Sequence, residues 1–197
     1  MDYPISLSFK ILALAPQLRA FDPSGQNLLY VKQKLLKLKE HVEVFTDDTK
    51  STKLCDIKAD RVIDWSANYS FTQPDGNVFG GVRRKGTRSL WRAHYEIFES
   101  AESDDTAFTV REEKPFAKVM DGIFGQIPLI GALSGYVFHP SYLVTRPDGT
   151  EVIRLKKLPA FFEGKFEIEK LAELENDEHI RLLVSLLMVL LLERARG

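Results

Sequence analysis

Four histidines, His41, His94, His139 and His179, and one cysteine, Cys55, are the side chains of this chain best suited to hold a metal or attack a substrate. Their spacing favours neither. There is no HExxH, and no histidine has a cysteine or second histidine at metal-ligand spacing. A single cysteine excludes an intramolecular disulfide and a cysteine-built zinc centre, which makes a reducing compartment the default. Cys55, between Leu54 and Asp56, reads as a buried thiol or an incidental surface cysteine, because a nucleophile needs a base that the sequence does not supply. His139, between Phe138 and Pro140, reads as an edge or turn residue.

Carboxylates come in adjacent pairs at Asp47/Asp48 and Asp104/Asp105. Neighbours on a strand face opposite ways, so adjacency alone builds neither an acid/base couple nor a two-metal site, and solvated loop charge is the expectation. The stretch from Asp47 to Ser51 lacks the Asp/Asn spacing, central glycine and final glutamate of a calcium loop. The glycine-rich DGIFGQIPLIGALSGY from Asp121 has no GK[ST] ending, and Ser134-Gly135 is not a GxSxG elbow. It reads as an apolar connection or strand pair, and exposure of Ile123, Phe124, Ile127, Pro128 and Leu129 would make it a membrane wedge. The chain therefore reads as non-enzymatic, with no cofactor, catalytic or metal residues assigned.

Cations form the stronger pattern. Arg83, Arg84, Lys85, Arg88 and Arg92 surround Trp91, and Arg154, Lys156 and Lys157 occupy a matching stretch downstream. Arginine can pair with phosphate through two hydrogen bonds and lysine acts as a flexible point charge, so convergence of these groups would suit an anionic phospholipid or phosphoinositide. The plainer alternative is a charged barrel exterior. Nucleic acid is disfavoured: the chain has 27 basic against 28 acidic residues, and neither a recognition helix nor an aromatic stacking platform is evident.

The elements that must position these residues are mostly strands. Three copies of one pattern, FDPSGQNLLYVKQK from Phe21, TQPDGNVFGGVRRK from Thr72 and TRPDGTEVIRLKK from Thr145, place Pro, Asp or Ser and Gly between an apolar approach and a basic exit. Each predicts a hairpin, with Gly25, Gly76 and Gly149 at positive φ and Pro74 and Pro147 at the first central turn position. Further strands are expected at Val42 to Phe45, Val62 to Trp65, Trp91 to Phe98, Ala107 to Val110, Tyr136 to Phe138 and Phe161 to Ile168. Many short strands predict a mainly β chain closed into an antiparallel barrel, since closure removes exposed edges. At 197 residues and 44% hydrophobic, the chain is long and apolar enough for a sizeable core.

The C-terminal LLVSLLMVLLL, Leu182 to Leu192, is apolar on every face but shorter than the roughly 20 residues of a membrane span. It is expected inside the barrel, with Asn176 or Asp177 as cap. At the other terminus, Asp2 and Lys10 spoil the pattern of a secretory leader.

Taken together, the paired β units with Asp/Gly turns, the VRRK and LKK exits and the terminal LLVSLLMVLLLER resemble the tubby C-terminal-like superfamily, particularly its LURP-one-related and phospholipid scramblase branch. The resemblance runs from about Phe9 to Arg196. It implies one domain over 1–197, with about twelve strands around a central helix at 176–195. Tubby proteins bind phosphoinositides through basic surface residues, which implies comparable chemistry near Arg83 to Lys85. Scramblases of the superfamily carry a palmitoylated cysteine cluster and a calcium-associated acidic segment; this chain has one cysteine and no matching acidic segment. The expectation is a cytoplasmic barrel module, peripheral at a membrane through anionic lipid. Scramblase-like lipid movement and a protein-interaction scaffold with no lipid role are the alternatives.

Overall fold

The computed structural model describes residues 1–10, 17–32, 41–60, 67–84, 94–100, 105–113, 141–160 and 163–194. Its strands are β1 Ile5–Lys10, β2 Gln17–Phe21, β3 Asn27–Lys32, β4 His41–Phe45, β5 Lys53–Ala59, β6 Asn68–Thr72, β7 Val78–Arg84, β8 His94–Phe98, β9 Phe108–Glu112, β10 Ser141–Thr145, β11 Glu151–Leu158 and β12 Glu163–Lys170. Each pairs antiparallel with its sequence neighbours, and β1 pairs with β12, with Ile5 opposite Ile168 and Lys10 opposite Glu163, so the sheet is a closed twelve-stranded barrel.

Turn chemistry sets the register. In the three repeated units, Gly25, Gly76 and Gly149 sit at φ of +85°, +91° and +89°. Their amides donate to the carbonyls of Asp22, Gln73 and Arg146, which puts Pro74 and Pro147 at the first central turn position as expected. The sheet register then shifts at Phe21, Thr72 and Thr145, the bulge that a turn followed by a left-handed glycine produces. Asp22, Asp75 and Asp148 each accept an amide hydrogen bond across their own turn. These bonds fix the tips; the Ser24 hydroxyl, donating to Asp22, and the Thr150 amide, donating to Asp148, hold the two carboxylates below their usual range.

Alternation along each strand sends one set of side chains inward. Ile5, Leu7 and Phe9 of β1, Leu29 and Val31 of β3, and Ile153 and Leu155 of β11 join one buried cluster with α1, Asn176–Arg194. Along α1, Leu182 to Leu191 are at most 7% exposed, so the helix is enclosed on every face, as its all-round apolar sequence requires. Among the described residues no helix is long and apolar enough to cross a membrane.

The expected strands at residues 42–45, 107–110 and 161–168 correspond to β4, β9 and β12, and the one at 91–98 keeps His94–Phe98. Those at 62–65 and 136–138 lie outside the described residues, as do His139 and the glycine-rich segment from Asp121 to Tyr136. The N-terminal run that faintly suggested a leader forms β1, the strand that closes the barrel. Neither β1 nor β5 is among the strands expected from sequence; on β5, Cys55 is fully buried with its thiol pushed up to about 12 by that burial, which makes it unreactive. At the start of α1 the Glu175 amide donates to the Glu178 carboxylate, the return half of a capping box, and the Asp177 carboxylate accepts from backbone amides of the same turn.

Candidate functional site

A strictly sequential barrel has two ends of different kind. At the turn end lie the links from each even strand to the next odd strand, together with the start of α1. At the other, the exit end, odd strands finish, even strands begin and α1 finishes, with the Arg194 guanidinium 4.0 Å from the centre of the Phe9 ring.

The turn end is acidic, and its arginines are engaged. Arg181, buried in the first turns of α1, donates to the Phe79 carbonyl at 2.8 Å, to Glu99 at 3.1 Å and to Asp177 at 2.6 Å. Gly80, at φ +152°, makes room: a Cβ there would stand 2.9 Å from Arg181 Cγ. Arg146 donates to Glu178 at 2.7 Å and to the Glu173 carbonyl at 3.1 Å. Tyr3 Oη lies 3.0 Å from His179 Nδ1. Burial lowers the His179 pKa, with the chain's own N-terminal amine adding to the effect.

The cations singled out from sequence separate into three groups. Lys85, Arg88 and Arg92 lie outside the described residues. Arg83 and Arg84 end β7, while Arg154, Lys156 and Lys157 lie on β11, so the two sets share the exit end but are separated by β8, β9 and β10. They are not brought onto one face. Arg83 donates to Glu96 at 2.9 Å, and Glu96 is itself buried on β8. Arg154 stands 3.3 Å from Glu113 and 3.9 Å from Glu169, and Lys156 is hydrogen-bonded to Glu169. Arg84 also has partners in the fold. Lys157 is exposed and has no ion pair among the described residues.

Five exposed cations that sequence reading did not select share this end. Lys10 finishes β1, Lys32 finishes β3, Lys58 is next to last on β5, Arg111 is next to last on β9, and Lys165 lies near the start of β12. With Arg84 and Lys157, a basic residue stands in the last two positions of every odd-numbered strand. None of the five has an ion pair among the described residues. The signal was present as a basic residue closing each approach to a connection, but only the barrel register shows that these closings lie at one end. Asp60 and Glu112 are the exposed acids beside them among the described residues, and Glu193 accepts a hydrogen bond from Tyr95.

Elsewhere the polar surface is structural. On the outer face of β4 and β5, Glu43 and Asp56 lie opposite one another and share Lys53, at 2.7 and 3.2 Å, and His41 is 2.7 Å from Asp56. Hydrogen bonding to Lys53 holds Glu43 below its ordinary pKa; at Asp56 burial pushes upward, but the bonds from His41 and Lys53 outweigh it. Among the described residues no group of His, Cys, Asp or Glu could hold a metal ion.

A closed barrel of twelve antiparallel strands with an enclosed C-terminal helix defines the class. The LURP-one-related family model matches residues 27–127, more than half of the chain, from β3 through β9 and beyond. The chain belongs to the LURP-one-related family, within the tubby-like superfamily. Curated proteins give no match, and neither do solved structures.

Proposed function

We propose that this barrel is a peripheral binding module for anionic phospholipid. The observation that carries the reading is the set of exposed lysines and arginines, without ion pairs among the described residues, collected at one end of a barrel whose net charge is only −1. A cation kept in water and out of internal ion pairs retains its attraction for an anionic surface, at about 1 kcal/mol for each lysine or arginine near the headgroups. Family membership is compatible with a binding role and supplies no reaction. The burial of α1 favours binding over lipid movement, because a helix sealed on all faces cannot contact acyl chains unless the barrel opens.

Liposome co-sedimentation of the full chain tests this. Pelleting with vesicles of phosphatidylcholine plus phosphatidylserine, saturable and weaker at physiological than at low salt, is the expected result. Equal pelleting with phosphatidylcholine alone, or none by folded protein, would overturn it and leave a protein-interaction role.

A further inference from the structure

We infer that the barrel docks end-on, with the exit-end cations against the lipid and the acidic turn end facing away, and that it reads surface charge density rather than one headgroup. This inference rests on the lipid-binding reading above and adds its orientation and the signal it detects.

Charge runs along the barrel axis. Each odd strand delivers a basic residue to the exit end: Lys10, Lys32, Lys58, Arg84, Arg111 and Lys157. Each link at the opposite end carries acid: Asp22, Asp47 with Asp48, Asp75, Glu99 with Asp105, Asp148, and Glu173 with Glu175 before α1. The cations of that acidic end are largely held by neighbours, Arg146 by Glu178 and Arg181 by Glu99 and Asp177, whereas Lys10, Lys32, Lys58, Arg111 and Lys157 are unpaired among the described residues. A molecule with this separation is turned by a negative surface before contact, because the near end is attracted and the far end repelled.

The spacing decides what is read. Neighbouring strands lie about 4.8 Å apart, so cations on successive odd strands stand roughly 10 Å from one another. That is about one Debye length at 0.1 M salt, so each acts nearly independently on the surface potential. Tight recognition of one phosphorylated headgroup needs several donors on the same phosphate oxygens. Here the densest arc, Lys157, Lys165 and Lys10 on β11, β12 and β1, leaves Lys32, Lys58 and Arg111 on the remaining arc of the barrel. One headgroup cannot engage the ring, whereas a field of phosphatidylserine can.

The test uses two full-length variants, Glu112→Cys and Glu151→Cys, each carrying an environment-sensitive fluorophore. Both glutamates are exposed, each substitution removes one acid, and Cys55 is too buried to be labelled. Glu112 is at the exit end and Glu151 at the turn end. With phosphatidylserine vesicles the label at 112 should shift to the blue and become shielded from aqueous iodide, and the label at 151 should stay quenchable. The K10Q/K32Q/K58Q/K165Q variant should partition several hundred-fold less, at about fivefold per lysine, with an unchanged unfolding midpoint. Absence of binding by the unmodified protein would overturn the lipid reading and this inference together. Binding with equal shielding at both labels, or more at 151, would overturn the orientation alone. A preference for phosphoinositide over phosphatidylserine at matched vesicle charge would overturn the charge-density reading while leaving lipid binding in place.

Discussion

The two ends of the barrel use the same residue types to opposite purpose. At the turn end, arginines are locked into ion pairs and backbone bonds, the aspartates close their own turns, and α1 is capped; the charges there hold the fold. At the exit end, Lys10, Lys32, Lys58, Arg111 and Lys165 are exposed and unpaired among the described residues. Charge is therefore a poor guide to function until its partners are known: Arg181 and Lys58 look alike in sequence, yet one is a buried strut and the other is free to meet a ligand. The distinction predicts that substitutions at the turn end reduce stability and spare lipid binding, and that substitutions of the exit-end lysines do the reverse.

The harshest break removes what joins the two ends. Truncation before Leu182 deletes the enclosed stretch of α1, whose leucines and valines each contribute about 1.5–3 kcal/mol on burial. Their sum exceeds the net stability of a typical domain, about 5–15 kcal/mol, so the truncated chain should be insoluble or rapidly proteolysed. A soluble truncation with a cooperative unfolding transition would show that the barrel does not depend on its helix.

A local break comes next. Gly81→Ala would place a Cβ 2.1 Å from Phe98 Cζ and 2.4 Å from the Tyr69 carbonyl oxygen, between paired strands with no slack. Overpacking of this kind costs about 1–3 kcal/mol and occasionally more, and the backbone contact puts this site at the upper end. Chemical denaturation should show a loss of about 3 kcal/mol. Arg181→Met, at the turn end, leaves the Phe79 carbonyl without its donor and should cost about 2 kcal/mol. Vesicle binding by the folded Arg181 variant should be unchanged; a large loss would mean that the two ends are not separable.

Ser185 sharpens the picture in the other direction. It is fully buried in α1, and its hydroxyl has no hydrogen-bond partner among the described residues. Because an unsatisfied buried hydroxyl carries a desolvation cost, Ser185→Ala should raise stability by about 1 kcal/mol. A decrease on denaturation would mean that the hydroxyl is satisfied in solution.

These contrasts also show what the sequence could reveal. The hairpins were legible because Gly25, Gly76 and Gly149 mark positive φ by residue type alone, and the enclosed helix because Leu182 to Leu192 has no polar face. Strand β5 was not, since KLCDIKA alternates weakly and carries Asp56 and Lys58 near its centre and end. For the candidate site, residue type located the cationic stretches but not their partners. Arg83 lies across from Glu96 only through the β7 to β8 register, and Lys10, Lys32 and Lys58, far apart in sequence, become neighbours around one end only when the sheet closes.

The smallest expected effect is in pH. A hydrogen bond from Arg181 holds Asp177 below the ordinary carboxylate range. A group whose folded pKa is depressed contributes stability that is present above its unfolded pKa, about 3.9 for aspartate, and lost as pH falls through the folded value. Asp177 is more than half exposed, so solvent screening keeps the pair below about 1 kcal/mol. Denaturation of Asp177→Asn alongside the unmodified chain should show that deficit at pH 7 and a progressively smaller one as pH falls below the ordinary carboxylate range. His179, lowered by burial, acts in the same direction at higher pH: its contribution is complete above about 6.5 and declines as pH falls, and Asp177→Asn leaves it in place. A deficit for Asp177→Asn that persists in acid would show that Asp177 supports α1 through its shape or backbone rather than its charge, and would remove it from the set of turn-end charges that hold the fold.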